Sequence, residues 1–396
     1  MTYTPLQQRH IYLYVLVLSL LSMMGLTIIT PALPFISGSF GVRGEGAWAI
    51  LTAFAAPGII MVVLAGVLSD RYGRKKVLAV CLALFCIGGV GCALAPTYGL
   101  FLFFRVIQGI GSGPLGSLNA TLIADTFAPC YRPRYYGMIG IIAALSTAIF
   151  PFIGGFLTEW SWRWTFGLSI LGLPALLYLY RIPLKQGCPQ ERPAEQLRLF
   201  RRFLANKEVS MLLLFEILVG ASLYGPVNTY FPLLCDHMFG ASPSLLGTIT
   251  MCGSLGILLS GLLVGWLTVR YAYRTLMVFC GVLLLVAYLL FLWLPQLWLL
   301  VIPLLLHGFG YSLVSPILKT RLSVLASEDT IGAVLSLNGV AFRLSQAVAP
   351  ALCGLFWTGL GVYGPFWLGL LLSLGVLVLA LRVLPAGVLT AQLPTR

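Results

Sequence analysis

Apolar residues run through this chain in long blocks, broken only by short polar clusters and Gly/Pro turns. Marking every break gives twelve blocks, at 11–33, 47–68, 77–95, 99–123, 135–157, 163–181, 209–233, 244–267, 275–294, 297–317, 331–355 and 364–384. A helix needs about 20 apolar residues to cross about 30 Å of hydrocarbon, which these blocks supply. Strands of a membrane barrel would instead show alternating segments of about ten residues. The first block follows Arg9 and is too long for the apolar core of a secretion signal, so it is taken as the first span. The pattern predicts an all-α integral membrane protein with twelve transmembrane helices.

Charge sits between the blocks. With both termini on the cytoplasmic side, twenty of the 24 Lys and Arg lie in cytoplasmic segments, Arg43 and Arg163 lie outside, and Arg105 and Arg343 lie within spans. Cytoplasmic loops gather Lys and Arg, so a multi-pass plasma (inner) membrane protein with cytoplasmic termini is expected. The net charge of +13 is then a matter of topology, and no nucleic-acid partner is expected. Composition agrees: 59% of residues are hydrophobic and 9% charged, against about 45–50% and about 25% in soluble domains.

The nine Cys lie mostly inside apolar blocks, as with Cys81, Cys86 and Cys92, and form no CxxC pair. They are expected to act as small hydrophobes, with no disulfide or metal site. No G-x-x-x-x-G-K-[ST] occurs, so ATP hydrolysis by a P-loop is excluded. The G-x-G-x-x-G at Gly111–Gly116 lies mid-span with no strand before it, which rules out the dinucleotide fingerprint. No cofactor and no enzymatic activity are expected.

The longest connection, Ile182 to Glu208, is charged and holds three Pro. It divides the chain into an N-terminal six-helix bundle (1–181), a cytoplasmic linker (182–208) and a C-terminal six-helix bundle (209–396). Leu197, Phe200 and Leu204 follow helical spacing, so part of the linker either lies on the membrane surface or is solvated. The two bundles repeat each other. "RVIQGIGSG" from Arg105 matches "LLLHGFGYS" from Leu304, with Gln108, Gly109 and Gly111 falling on His307, Gly308 and Gly310, each 199 positions on. "STAIFPFIGGFL" from Ser146 matches "SQAVAPALCGLF" from Ser345 at the same offset, and Gly66, Leu68, Arg71 and Tyr72 fall on Gly265, Leu267, Arg270 and Tyr271. Parallel repeats of this kind place a substrate cavity at the repeat interface and let the halves rock around it.

With these features in place the chain resembles the major facilitator superfamily, and most closely its twelve-span drug/proton antiporter branch. "GVLSDRYGRKKVL" (from Gly66) resembles the loop 2–3 signature, "RVIQGIGSG" the fourth-span signature, "STAIFPFIGG" the fifth-span antiporter signature, and "WSWRWTF" (from Trp160) the usual start of span six. In the fifth span Pro151, Gly154 and Gly155 are kept, while Ser146 and Phe150 stand where exporters commonly carry Gly. Drug/proton relatives often place an acid in span one; Ile11 to Leu33 holds none, only Ser19, Ser22, Thr27 and Thr30. The resemblance implies that Asp70, Arg71 and Arg74, with Gly66 and Gly73, form a conformational latch in which Asp125 is the partner of Arg74. The repeat echo has Val269 at the position of Asp70, so the fully charged latch belongs to the N-terminal half alone.

Ionisable side chains at membrane depth are costly and therefore candidates for function. At ~1.5 Å per residue, Glu216 lies about 12 Å deep, His307 about 15 Å, Arg343 about 16 Å and Arg105 about 9 Å. Glu216 is the leading candidate for proton coupling, with His307 and Arg105 beside it. His307 either relays protons or makes a plain hydrogen bond, and Arg105 serves either coupling or structure. Arg343 either binds an anionic substrate group or holds Glu216, and Asn119, Asn228, Asn338 and Gln346 are the remaining cavity candidates. The in-span charges sum to +1, which favours anionic or zwitterionic cargo over simple cations. The expected function is secondary active transport by alternating access, as a proton-coupled exporter of small amphipathic molecules such as drugs. The alternative is a transporter of an anionic metabolite, such as a carboxylate siderophore or organic acid. The expected partners are a small-molecule substrate, protons and the bilayer, and a monomer is expected.

Overall fold

A computed structural model describes residues 4–42, 44–128, 131–182, 184, 193–294, 296–326 and 330–383, and every regular element among them is helical. Each expected block carries a helix. In chain order these are α1 (Pro5–Thr27), α2 (Trp48–Tyr72), α3 (Arg74–Leu94), α4 (Tyr98–Thr126), α5 (Arg132–Trp160), α6 (Arg163–Leu179), α7 (Lys207–Phe239), α8 (Pro243–Arg270), α9 (Tyr273–Trp293), α10 (Val301–Leu325), α11 (Ile331–Leu360) and α12 (Gly364–Val383). Among the described residues eight helical runs are long and apolar enough to cross a membrane, and one of them, Ala333–Arg382, spans both α11 and α12. The 29-residue α4 is not among the eight, because Arg105, Gln108, Asn119 and its glycines dilute its apolar surface.

Local chemistry explains where these helices start and break. Thr4 and Gln7 cap α1 reciprocally, with Pro5 in the first turn. Gly73 alone separates α2 from α3, at φ 87° and ψ 141°, where a β-carbon would be strained. Its repeat counterpart Ala272 precedes α9 at φ −62°, so the second half turns here without needing glycine. After α1 a 3-10 turn, Thr30–Ala32, leads into a short helix, Leu33–Ser39. Within α7 the winding widens to a π-helix over Leu223–Tyr230, around Pro226. Proline lacks an N–H and clashes with the carbonyl four residues back, and π segments are common at functional sites.

Packing divides the chain into two units, one of Met1–Arg192 with Gly240–Thr248, the other of Pro193–Phe239 with Ile249–Arg396. The 199-residue repeat extends to contacts inside each unit. In the first unit a β-carbon at Gly111 would meet Cys81 O at 2.5 Å, and in the second one at Gly310 would meet Cys280 O at 3.4 Å. Gly109 packs on the Phe54 carbonyl, and Gly308 on that of Gly253. Lys75 Nζ donates to the Ile182 carbonyl at 3.2 Å, and Arg274 donates to that of Leu381. In every case both partners shift by 199. Lipid gives no hydrophobic drive to helix association, so close backbone approach at small residues does much of the holding.

The linker holds a helix, Pro193–Ala205, which packs with the second unit. Its buried anchor is Phe203, set among Val209, Tyr273 and Leu322, with Leu199 and Phe200 packed around it. Leu204, one of the three positions expected to be apolar-facing, is 52% exposed, and the Leu197 side chain lies outside the described set. Arg198, Arg201 and Arg202, at helical spacing, are exposed. The seven described cysteines are all free.

Candidate functional site

In the first unit the in-span cation is fully enclosed. Arg105 Nε donates to the Ile50 carbonyl at 3.1 Å, and Nη1 donates to the Gly25 carbonyl at 3.1 Å and to Gln108 Oε1 at 2.7 Å. Phe54 and Phe166 lie over the guanidinium, with centroids at 4.4 and 5.5 Å. Gln108 Nε2 in turn donates to Ser169 Oγ at 2.9 Å. One side chain therefore ties together α1, α2, α4 and, through Gln108, α6. Asn119 is 2% exposed and donates to Ser19 Oγ at 2.9 Å, which places this cavity candidate at the contact of α4 with α1.

The loop 2–3 cluster is compact. Arg74 Nη1 lies 2.5 Å from Asp125 Oδ2, Lys75 Nζ donates to the Tyr180 carbonyl at 2.8 Å, and Arg71 is exposed beside the Tyr72 ring. Gly66 and the side chain of Asp70 lie outside the described set, so the cluster's acidic member has no structural account. The second unit has an ion pair of its own, which the repeat does not foretell. Arg321 donates to Glu208 Oε1 through Nε at 2.8 Å and Nη2 at 2.7 Å, and Tyr273, the counterpart of Arg74, interacts with both. The second half lacks the sequence of the loop 2–3 cluster but not a charged contact at the start of its first helix.

In the fifth span Pro151, Gly154 and Gly155 line close contacts within the first unit. A β-carbon at Gly154 would overlap the Ile28 carbonyl, one at Gly155 would overlap that of Pro243, and one at Gly247 would lie 2.6 Å from the Pro151 carbonyl. Gly154→Val is therefore expected to lower stability by roughly 1–3 kcal/mol, as over-packing does, read as a lower unfolding midpoint in detergent. An unchanged midpoint would show that α1 and α5 are free to separate.

The remaining candidates converge in the second unit. Glu216 on α7 is 5% exposed. Its polar neighbours are Asn338 on α11, which faces the carboxylate, and Lys319 on α10, the cation whose field acts on it. Arg343 on α11 donates through Nη1 to Gln346 Oε1 at 3.3 Å and interacts with Tyr224. The Tyr224 hydroxyl lies beside Gln346 and Tyr311 and within the electrostatic reach of both Arg343 and Glu216. Phe342 meets the Tyr224 ring edge-on at 5.6 Å. His307 sits at one side: its Nε2 is 3.1 Å from Ser222 Oγ and 3.4 Å from Tyr288 Oη, and its ring is parallel to Tyr311 at 6.5 Å. Asn228 lies in the π segment, and its side chain makes no hydrogen bond among the described residues.

Glycines let these groups meet. A β-carbon at Gly220 would overlap Ser345 Oγ, and one at Gly225 would lie 2.6 Å from Cys353 Sγ and 3.1 Å from the Ala349 carbonyl, so α7 lies directly on α11. Thr229 Oγ1 donates to the Tyr224 carbonyl five residues back at 2.7 Å, inside the π segment. Tyr224, Tyr311, Tyr288 and Ser222 were not among the sequence candidates. Their signal is spacing: Glu216, Gly220 and Tyr224 stand at i, i+4 and i+8, and His307 and Tyr311 at i and i+4, each set on one helix face. The result is one acid, one guanidinium, two amides and two phenols drawn from α7, α10 and α11.

Comparisons with known proteins agree with this architecture. The sequence model of the Major Facilitator Superfamily matches residues 15–240 and again residues 227–395. Multidrug resistance protein 3 of Bacillus subtilis (strain 168) is 34% identical over 164 residues, which is 41% of this chain and 32% of that protein. Efflux pump dotC of Dothistroma septosporum is 37% identical over 168 residues, 42% of this chain and 28% of that protein. An uncharacterized MFS-type transporter of Mycobacterium tuberculosis (strain ATCC 25618 / H37Rv) is 33% identical over 168 residues, 42% of this chain and 24% of that protein. The chain thus covers about a quarter to a third of the length of these curated relatives. Among solved structures, a D-xylose-proton symporter superposes with a TM-score of 0.79 at 17% identity, over 95% of this chain and 98% of that one. The human organic anion transporter MFSD10 (TETRAN) superposes with a TM-score of 0.70 at 21% identity, over 96% of this chain and 100% of that one. At those identities the likeness is one of fold.

Proposed function

This chain belongs to the Major Facilitator Superfamily, and from that premise we propose that it is a secondary active transporter, a proton-coupled exporter of small amphipathic molecules. The observation that carries the proposal is Glu216, a carboxylate buried in α7 beside Asn338, Tyr224 and Tyr311. A buried acid in a spanning helix is costly, so its presence points to function, and a group that binds and releases a proton as its surroundings change couples transport to a proton gradient. Relatives named efflux pump and multidrug resistance protein support the outward direction. The plasma (inner) membrane, with both termini cytoplasmic, is the proposed location, and the loop 2–3 cluster with its Arg74–Asp125 pair the proposed latch.

A second reading rests on Arg343, whose guanidinium stands with Gln346 and Tyr224 in the same cluster. It suits an anionic metabolite such as an organic acid. The two readings differ in the sign of linkage. An anion bound near Glu216 favours the proton, which gives movement in the same direction, whereas a cationic group competes with the proton, which gives exchange. Proteoliposomes under an imposed pH gradient, loaded in turn with lipophilic cations and with carboxylates, decide between them. Cargo moving against the proton supports export. Cargo moving with it supports the second reading, and transport indifferent to the gradient overturns both.

A further inference from the structure

The cluster in the second unit holds two opposite recognition chemistries at one place. On one side are Glu216 and the rings of Tyr224, Tyr311 and Phe342. A carboxylate beside aromatic faces is the chemistry that takes an organic ammonium, by charge and by cation–π attraction. On the other side are Arg343 and Gln346, a planar guanidinium with an amide next to it, which suits a carboxylate. Tyr224 belongs to both sides: its ring meets Phe342, and its hydroxyl lies beside Gln346 and within reach of the charges of Arg343 and Glu216 alike. Burial is graded: Glu216, Gln346 and Tyr224 are buried, while Tyr311, Phe342 and Arg343 are only partly so.

From this arrangement we infer that the cargo is a zwitterionic aromatic amphiphile, its amine directed to Glu216 and its carboxylate to Arg343 and Gln346, with Tyr224 setting the spacing between them. The inference rests on the proposed transport function and names the substrate class of the same site. A singly charged cargo uses only one of these two chemistries, whereas a zwitterion meets both and adds no net charge. The charged and titratable groups that face Glu216 are Lys319 and Tyr311 from α10 and Tyr224 from its own helix, with the neutral amide of Asn338 from α11. The cargo's ammonium takes up the attraction that Lys319 otherwise exerts. It also competes with a proton for the same carboxylate, so loading releases the proton and protonation releases the amine, which is the order of events that exchange requires.

The test is a binding series on the full chain in detergent, without any gradient, using one ring system. The probes are 6-(aminomethyl)-2-naphthoic acid, 2-naphthoic acid, 2-naphthylmethylamine and neutral methyl 2-naphthoate. The zwitterion is expected to bind about tenfold or more tightly than either singly charged probe, which is one tenfold step in Kd. In Glu216→Gln the amine should lose its advantage while the carboxylate keeps its own, and Arg343→Gln should do the reverse. In Tyr224→Phe the two charges should contribute independently, with the extra gain from carrying both removed. Because each variant is judged by ratios among four probes, loss of folded protein does not mimic the effect. Equal binding of the zwitterion and either single ion overturns the inference, as does a Glu216→Gln that leaves the order of the probes unchanged. Proteoliposome flux of the same zwitterion against a pH gradient is the separate measurement: a zwitterion preference with no proton-driven flux would leave this inference standing and remove the transport reading.

Discussion

Glu216→Gln is expected to abolish movement of cargo driven by a pH gradient in proteoliposomes, by about a hundredfold or more, while counterflow exchange at equal pH persists at raised cargo concentration, since the amine loses its counter-charge but the conformational cycle does not stop. The amide has nearly the shape of the protonated acid and can still face Asn338, but it neither takes up nor gives up a proton. The charge relation with Lys319, Tyr224 and Tyr311 is removed at the same time. What the variant separates is therefore coupling from conformational cycling. A carboxylate held only to stabilise α7 would behave differently: its removal would lower the unfolding midpoint and reduce exchange and driven flux together. Glu216→Asp keeps the acid but draws it back by one methylene, so driven flux should fall less than in Glu216→Gln. Full driven flux in Glu216→Gln would end the assignment of this residue to coupling.

The architecture was legible from the sequence because its causes are one-dimensional. Twenty-residue apolar blocks and a fixed 199-residue offset need no knowledge of which helix lies beside which. Even the equivalence of Gly109 with Gly308 in their backbone contacts follows from that offset. The local breaks were less legible. Pro226 warned of an irregularity in α7, but a π winding over eight residues depends on how α7 lies against α11, through Gly220 and Gly225. In the linker helix the expected stripe ran through Leu204, whereas Phe203 makes the buried contact, because the three-residue pattern did not say which neighbour the helix would meet.

The site divides in the same way. Glu216, His307, Arg343, Asn338 and Gln346 were visible as polar residues in apolar blocks, since a rare residue in the wrong solvent stands out singly. Their convergence was not visible, nor were Tyr224 and Tyr311, because tyrosine is common in membrane helices and gains meaning only when two hydroxyls meet. The two alternatives for Arg343, anion binding or holding Glu216, also turn on geometry. The cation acting on Glu216 is Lys319, while Arg343 stands with Gln346 and Tyr224, which favours the first. The ion pair of Glu208 with Arg321 escaped notice because its members are not repeat counterparts of Arg74 and Asp125.

Arg105 leads to the second large effect. The guanidinium is wholly buried, and its described hydrogen-bond partners are two main-chain carbonyls and Gln108 Oε1, all neutral acceptors on α1, α2 and α4. Arg105→Met fills the space but withdraws the donor from Gln108 Oε1 and from the Gly25 carbonyl in the last turn of α1, at about 1–3 kcal/mol each, while the Ile50 carbonyl keeps its bond within α2. Against this, the variant no longer buries a cation, which offsets part of the loss. A net loss on the order of 3 kcal/mol is expected, seen as a lower unfolding midpoint in detergent. Arg105→Lys is the sharper test. Lysine keeps the charge but places one compact ammonium where a planar fork reached acceptors on separate helices, and it gives up stacking against Phe54 and Phe166. It therefore buries the same charge with fewer bonds and is expected to be no more stable than Met. A coupling role makes the opposite forecast: charge would be what matters, Arg105→Lys would keep driven flux, and Arg105→Met would lose it at an unchanged midpoint. The position of Arg105 at the junction of α1, α2 and α4, with Gln108 extending the contact to Ser169, favours the first outcome. Proton coupling in the proposed mechanism then falls to Glu216 and its neighbours in the second unit.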